Sequence, residues 1–370
     1  SAATTLTFNN TAPRLDVDGN IMDAHDGSIQ QFPVSGSNLF FYHAVQYGTC
    51  KEPGRQGCDM NAPFPNACGF RFTHNITVWT SPNLTSGSWT NNGHAIEIED
   101  RPVGIVFRPH AAYAPAVKTY VLMWNYKGSD DKNKGYAVSY ADSPYGPFSV
   151  VQDSLNVTQL GGDFDLLVDA KDTPWIIYMA HRWMYIEKLT PDMQYSTGEM
   201  AVIQSSSSPG GAGLFAQPPG ALTTPLDVTM FGHCCCFCYQ GSGLIVWIAD
   251  DMAGPWVEQP GGNIACANAS STSPVADLFG LSVEPTPGEG CLYGGGHRVS
   301  TTRAQQNFVV TIPTPSGVEF ILTGDRWQQS PDGLKAHDPQ SYLPLRIHDN
   351  GTVGFVDWVD TFTVVANLPE

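Results

Sequence analysis

The stretch Ala141–Phe148 reads ADSPYGPF, and Ala249–Trp256 repeats its pattern as ADDMAGPW. Each copy follows an apolar, strand-like segment, turns at Gly-Pro and ends on an aromatic residue. A weaker copy begins at Ser81–Leu84 and leads to Trp89. Units that share one turn and one packing aromatic are typical of the blades of a β-propeller.

Short segments rich in β-branched and aromatic residues recur between these turns and along the rest of the chain. No long segment shows helical periodicity. We divide the chain into five blades near residues 30–90, 104–150, 160–196, 212–258 and 290–366, within one domain spanning 1–370. The expected fold is therefore an all-β, five-bladed β-propeller.

The composition excludes several protein classes. Of the 370 residues, 14% are charged and 42% are hydrophobic, which excludes intrinsic disorder and long coiled coils. The net charge is −17 and no basic cluster is present, so nucleic acid is not an expected partner. No apolar run approaches the roughly 20 residues of a membrane span, so membrane insertion is not expected either.

Nine cysteines and six Asn-x-Ser/Thr sequons indicate a secreted, disulfide-bonded glycoprotein. The sequons begin at Asn9, Asn75, Asn83, Asn156, Asn268 and Asn350. The odd number of cysteines leaves at least one thiol unpaired, or paired between molecules. The tract Cys234–Cys238 admits a metal site, but consecutive strand residues point to opposite faces, which favours disulfides.

Four motifs occur in an order and spacing that resemble glycoside hydrolase family 43, closest to its exo-β-1,3-galactanase subgroup. They are Asp18–Asn20 with Ala24–Ile29, Phe107–His110, Gly161–Asp169 and Gly324–Trp327. The resemblance implies a five-bladed propeller and exo-acting, inverting hydrolysis of β-1,3-galactan or arabinogalactan-type chains. It implies a poly- or oligosaccharide partner and no required cofactor.

The resemblance also implies a water, or a Ca or Na ion, at the centre of the propeller channel near a histidine. The candidates are His25, His110, His233 and His297. For each of them, a hydrogen-bonded core histidine is the alternative interpretation.

The family's chemistry needs an acid, a base and a carboxylate that tunes the acid. Asp163 stands where the family keeps the tuning aspartate, and a turn-capping role is the alternative. Asp26 stands near the base position, again with a turn or cap role as the alternative. In the subgroup a glutamine of the last blade assists the water, and Gln305 or Gln306 is the candidate here.

The proton donor is where this sequence departs from the family. Gln217 occupies the place of the glutamate in a Glu-x-Pro motif, and Phe107 occupies the place of a glutamate before Arg-Pro. An amide cannot act as a useful general acid. Two hypotheses therefore stay open: a hydrolase, or a catalytically degenerate propeller that binds glycans or serves as a structural extracellular glycoprotein. A cysteine-mediated assembly protein is a variant of the second.

Aromatic rings can form a platform for the apolar faces of sugars. The candidates are Tyr42, Trp124, Trp183 and Trp327, with His110 as a further substrate-binding residue. The alternative for each aromatic residue is a place in the hydrophobic core.

Overall fold

The computed structural model describes residues 3–51, 71–180, 183–204, 214–216, 228–232, 244–261, 264–268, 298–327, 329–348 and 350–368. The regular elements within these ranges are β-strands and short 3-10 helices. The 3-10 helices span Pro33–Ser35, Ile98–Asp100 and Lys335–His337. No helix in the described ranges is long and apolar enough to cross a membrane.

Within the described residues, five antiparallel sheets form the body of the fold, four of them four-stranded and one three-stranded. Blade one contains β2 (His25–Gln31), β3 (Phe40–Gln46), β4 (Asn75–Ser81) and β5 (Thr90–Ile96). Blade two contains β6 (Gly104–Ala114), β7 (Thr119–Gly128), β8 (Asn133–Ala141) and β9 (Ser149–Gln152). Blade three contains β10 (Phe164–Val168), β11 (Pro174–Ala180), β12 (Trp183–Leu189) and β13 (Ser196–Gln204).

The remaining strands belong to the last two blades and to two small ladders. Blade four contains β14 (Leu214–Ala216), β15 (Val228–Gly232), β16 (Ile245–Ala249) and β17 (Val257–Glu258). Blade five contains β20 (Gln305–Thr314), β21 (Gly317–Asp325) and β22 (Gln340–Leu345). Near the chain ends, β1 (Thr4–Asn9) pairs with β23 (Thr361–Ala366). Between blades four and five along the chain, β18 (Cys266–Asn268) pairs with β19 (Arg298–Ser300).

The first strand of each blade lies innermost. Strands β2, β6, β10, β14 and β20 contact one another in turn, and β20 contacts β2 again. Five inner strands therefore close a ring around a central channel, as in a propeller. The predicted all-β, five-bladed propeller is confirmed.

The repeated sequence turn has one structural place. In blades one, two and four it connects the third strand to the fourth strand. Its aromatic residues Trp89 and Phe148 are 0% and 2% exposed, so these two turns each fix a ring in the core, and the half-buried Trp256 packs against the core in blade four. Burying such a ring stabilises the fold by about 1.5–3 kcal/mol.

The two ends of the central channel differ in chemistry. Where the inner strands end, a cavity of about 500 Å³ is lined by residues such as Phe32, Ala112, Leu166, Phe308 and Val310. This apolar cavity offers few partners for sugar hydroxyls. Charged side chains converge at the opposite end, where the inner strands begin, and this polar end carries the candidate site.

Candidate functional site

Three inner strands are irregular at the polar end of the channel. The strand register shifts at Asp26 in β2, at Arg108 in β6 and at Asn307 in β20. Such bulges redirect a side chain that a regular strand would place elsewhere. Asp26 and Arg108 also lie in the left-handed backbone region, with φ of 61° and 51°. The following residue, Gly27, lies so close to β3 that a Cβ atom would clash with its backbone.

Arg108 is the centre of the site, and its side chain is 2% exposed. Its Nε lies 3.0 Å from Oδ1 of Asp26, and its Nη2 lies 2.9 Å from Oδ2 of Asp163. Its Nη1 donates to the carbonyl oxygen of Gln306 at 2.6 Å and to Oδ1 of Asn307 at 2.9 Å. The backbone N–H of Arg108 donates to Oδ2 of Asp26 at 3.1 Å. One arginine therefore joins blades one, two and five to the start of blade three.

The electrostatics of the site make Asp26 a group that titrates near neutrality. Burial, aided by the charges of Asp163 and Asp325 and opposed by Arg108, raises the pKa of Asp26 to about 7. A carboxyl with such a pKa is suited to general acid–base chemistry. Burial alone would lower the pKa of Arg108, but Asp163 and Asp26 outweigh it and raise that pKa, so Arg108 remains a cation.

Asp163 is the more accessible of the two carboxylates, with 24% of its side chain exposed against 9% for Asp26. It precedes β10 and reaches Arg108 rather than closing the following turn. That turn is capped by Asp169, which accepts backbone N–H groups from Lys171 and Thr173. The geometry therefore fits a site role for Asp163 better than a turn-capping role.

A second buried acid lies behind Asp26. Asp325, the last residue of β21, is 0% exposed. It accepts the backbone N–H of Asp26 at 2.7 Å, Nδ2 of Asn307 at 2.6 Å and Nδ1 of His25 at 3.1 Å. His25 thus occupies a hydrogen-bonded core position.

Sequence reasoning did not assign a site role to Arg108, Asn307 or Asp325. Two of them lie inside motifs that the sequence does show, Arg108 in Phe107–His110 and Asp325 in Gly324–Trp327. A charged residue within a largely apolar strand (Arg108) or at its end (Asp325) was the available signal, because such residues are rarely buried without a partner.

The two candidate glutamines contact the site differently. Gln306 is 5% exposed and offers its carbonyl oxygen to Arg108. Oε1 of Gln305 accepts a hydrogen bond from Nε1 of Trp327 at 2.7 Å. A role for either amide in positioning water stays a prediction.

The expected sugar platform does not fit three of its four aromatic candidates. Trp124, Tyr42 and Trp327 are 0%, 2% and 4% exposed, so neighbouring side chains cover their rings. The Trp327 ring packs near His25, with 5.3 Å between ring centroids, and Lys335 Nζ lies 3.7 Å from its centroid. Tyr42 on β3 and Trp124 on β7 belong to the core because these strands are buried on two faces, where aromatic residues serve packing. Trp327 follows β21 and is covered by its neighbours instead.

Trp183 remains the accessible aromatic candidate. It is 37% exposed and begins β12 opposite Ala180, at the same end of blade three as Asp163. His110, by contrast, is 0% exposed, and its Nδ1 lies 2.8 Å from Oδ1 of Asp165. His110 is therefore a buried histidine rather than a surface that a sugar can reach in this structure.

Several predictions fall on other parts of the chain. Gln217, His233 and His297 lie outside the described residues. Among the residues that are described, no three His, Cys, Asp or Glu side chains form a group that could hold a metal ion. A channel Ca or Na ion therefore stays an expectation.

No protein-family model matches the chain, and no curated protein matches it. Several solved structures are similar to it in fold. An exo-β-1,3-galactanase from Clostridium thermocellum aligns with 96% of this chain at 15% identity and a TM-score of 0.67. An exo-β-1,3-galactanase from Phanerochaete chrysosporium, in complex with β-1,3-galactotriose, aligns with 98% of it at 16% identity and a TM-score of 0.66.

The structural likeness is to glycoside hydrolase family 43. A β-1,3-galactosidase of that family, in complex with galactodeoxynojirimycin, aligns with 95% of this chain and 99% of its own length, at 17% identity and a TM-score of 0.64. This chain spans 66% of the Clostridium enzyme and 71% of the Phanerochaete enzyme. At these identities the comparisons establish the propeller fold alone.

Proposed function

We propose that this chain is a glycoside hydrolase that removes terminal galactose from β-1,3-galactan or arabinogalactan-type chains. The observation that carries the proposal is the convergence of Asp26 and Asp163 on Arg108 at the polar end of the channel. The structural neighbours include exo-β-1,3-galactanases and a β-1,3-galactosidase, which supports galactosides as the substrate class.

In the proposed inverting mechanism, Asp26 is the base. Its ionised carboxylate takes a proton from the water that attacks the anomeric carbon, and the glycosidic bond to the leaving sugar breaks. Because the pKa of Asp26 is raised to about 7, the active ionised form accumulates as pH rises through neutrality. Arg108 holds Asp26 in place, and Asp163 sets the charge around it.

The proton donor to the leaving oxygen is the open part of this mechanism. In the described part of the chain, Arg108 forms ion pairs with Asp26 and Asp163. Gln217, at the position expected of the acid, lacks a suitable proton. Losing a general acid typically costs about 10²–10⁴-fold in rate, so we expect slow hydrolysis unless another acid supplies the proton.

A second candidate function is a glycan-binding propeller without catalysis. Phe107 in place of a glutamate favours it, as does the pairing of both carboxylates with one guanidinium. This hypothesis predicts binding of β-1,3-galacto-oligosaccharides without release of galactose.

The test is incubation of the protein with β-1,3-galactan, with galactose measured by anion-exchange chromatography. The variants Asp26→Asn and Asp163→Asn are the controls for a contaminating activity. If the wild type releases galactose and both variants do not, the hydrolase is supported. If galactose is released only after the substitution Gln217→Glu, the degenerate propeller is supported. If both control variants still release galactose, the assigned site is contradicted.

We also propose that the protein is secreted and carries disulfides and N-linked glycans. Support comes from the six sequons and nine cysteines, and Cys50 is disulfide-bonded. The remaining cysteine pairing stays a prediction. An extracellular location would bring the protein to the polysaccharides that we propose as its substrates.

A further inference from the structure

Asp26 adopts a backbone conformation that it does not favour by itself. A left-handed φ of 61° is sterically unfavourable for a non-glycine residue. The bulge at this position also removes Asp26 from the regular pairing of β2 with β3. Its N–H is instead taken up by Oδ2 of Asp325 at 2.7 Å. An acceptor from blade five therefore fixes the backbone of a residue in blade one.

Asp325 is itself held by three donors. Its Oδ2 also accepts Nδ2 of Asn307, whose Oδ1 accepts Nη1 of Arg108. Its Oδ1 faces Nδ1 of His25, while Nε2 of His25 faces the carbonyl oxygen of Ala336 at 3.2 Å. Both ring nitrogens of His25 face acceptors, an arrangement that favours the imidazolium form, in which both donate.

The charges in this cluster agree with the geometry. Burial lowers the pKa of His25, but the hydrogen bond and charge of Asp325 outweigh it and raise that pKa. Burial raises the pKa of Asp325, but hydrogen bonds from His25, Asn307 and Asp26 outweigh it and lower that pKa. The groups that face Asp26, Asp325 or His25 are Arg14, Asp23, Tyr42, Tyr47, Arg108, Asp163 and Asp338.

We propose that Asp325 is the positioning residue of this site: it holds Asp26 in its left-handed conformation so that the Asp26 carboxylate faces Arg108. His25 keeps Asp325 charged and oriented. The proposal rests on the proposed function only for its effect on hydrolysis, because the arrangement of Asp26 is measurable in the protein without substrate.

The variant Asp325→Asn separates charge from geometry. Its amide oxygen replaces Oδ2 as the acceptor for Asp26 and Asn307, and its amide N–H donates to a neutral His25. The fold is therefore preserved while the carboxylate charge that contacts Asp26 is removed, together with the charge of His25 behind it. We expect the Asp26 titration midpoint to fall by about half a pH unit, because the like charge of Asp325 had favoured the protonated form of Asp26 more than His25 opposed it.

The measurement is the carboxyl ¹³C shift of Asp26 against pH, assigned with Asp26→Asn. Asp169→Asn is the control, because Asp169 also accepts two backbone N–H groups and is not one of the charged groups that face this cluster. Asp325→Asn and Asp325→Ala remove the same charge, but only the alanine removes the acceptor for the Asp26 N–H. Midpoints that differ between these two variants, with no change in Asp169→Asn, support the positioning role, and equal midpoints in the two variants overturn it.

A second variant, Asp325→Ala, removes the acceptor as well. If the chain is a hydrolase, we expect kcat to fall about 100-fold in folded Asp325→Ala, while Asp325→Asn keeps most of kcat and shifts the acidic limb of the pH profile downward. Equal kcat in Asp325→Ala and the wild type overturns the positioning role. If the wild type releases no galactose, the proposed function fails, and the titration still decides the role of Asp325.

Discussion

Asp26 in blade one and Asp163 at the start of blade three bind the same guanidinium, with Arg108 Nε 3.0 Å from one and Nη2 2.9 Å from the other. The two carboxylates would repel each other across the channel without this cation. Arg108 therefore determines both the geometry of the pair and the cost of keeping it ionised.

Replacing Arg108 leaves two carboxylates without their partner. We expect Arg108→Met to lower the free energy of unfolding by roughly 3–5 kcal/mol at pH 8, as for other broken buried ion pairs. This decrease in unfolding free energy is smaller at pH 5, because Asp26 is then protonated and has no negative charge for Arg108 to neutralise. Urea unfolding at the two pH values measures both quantities.

Lys127→Met is the control for this experiment, since Lys127 pairs with Asp131 at the surface. It should change the free energy of unfolding by less than about 1 kcal/mol. Equal effects of the Arg108 and Lys127 variants would count against Arg108 as the centre of the site.

Substitutions of Trp183 and Trp124 distinguish a residue that contacts the sugar from a residue of the hydrophobic core. Trp124→Ala should destabilise the protein by about 3–5 kcal/mol, because the ring is fully buried. Trp183→Ala should leave stability nearly unchanged and weaken binding of β-1,3-galactotriose by about tenfold. Thermal unfolding and calorimetric titration measure the two effects. Unchanged affinity in Trp183→Ala would remove Trp183 from the site.

The His25–Asp325 pair predicts a dependence of stability on pH. The pKa of His25 is raised above its ordinary value of 6.5, so its contribution is complete below pH 6.5 and is lost as pH rises through the folded value. His25→Asn should therefore cost roughly 3 kcal/mol at pH 6 and less at pH 9. A difference in unfolding free energy that grows with pH would contradict the pairing.

Sequon accessibility predicts which asparagines carry glycans after passage through a eukaryotic secretory pathway. Asn9 and Asn350 are exposed, and the hydroxyl of the sequon threonine donates to each Asn side chain. Asn75 lies on β4, its Nδ2 donates to Gln46, and its sequon Thr77 is 1% exposed. Peptide mapping after enzymatic deglycosylation should find Asn9 and Asn350 occupied and Asn75 empty. Full occupancy of Asn75 would contradict this.

The propeller fold could be predicted because its sequence signals are local. The Gly-Pro turns at Ala141–Phe148 and Ala249–Trp256 connect equivalent strands of two blades, and short strands between turns suit a propeller. Asp26 and Asp163 were identified through motifs, and the structure brings them together on Arg108.

The parts that sequence reasoning missed depend on contacts across the channel. Arg108 meets Asn307, and Asp26 meets Asp325, only because the ring of five blades closes. Strand periodicity does not report such contacts, since the bulges at these positions interrupt it. The same limit explains why Trp124 was a candidate for the sugar platform. In the sequence, an aromatic strand residue that a neighbouring blade covers cannot be distinguished from one that a sugar covers.

The central claim is that Asp26, Arg108 and Asp163 form a galactosidase site, and a proton NMR time course of β-1,3-galactotriose hydrolysis tests it most directly. We predict that the wild type releases galactose, that the α-anomer accumulates first, and that Asp163→Asn is slower by at least about 100-fold. Binding of the trisaccharide without galactose release, or release that Asp163→Asn retains, would contradict the account.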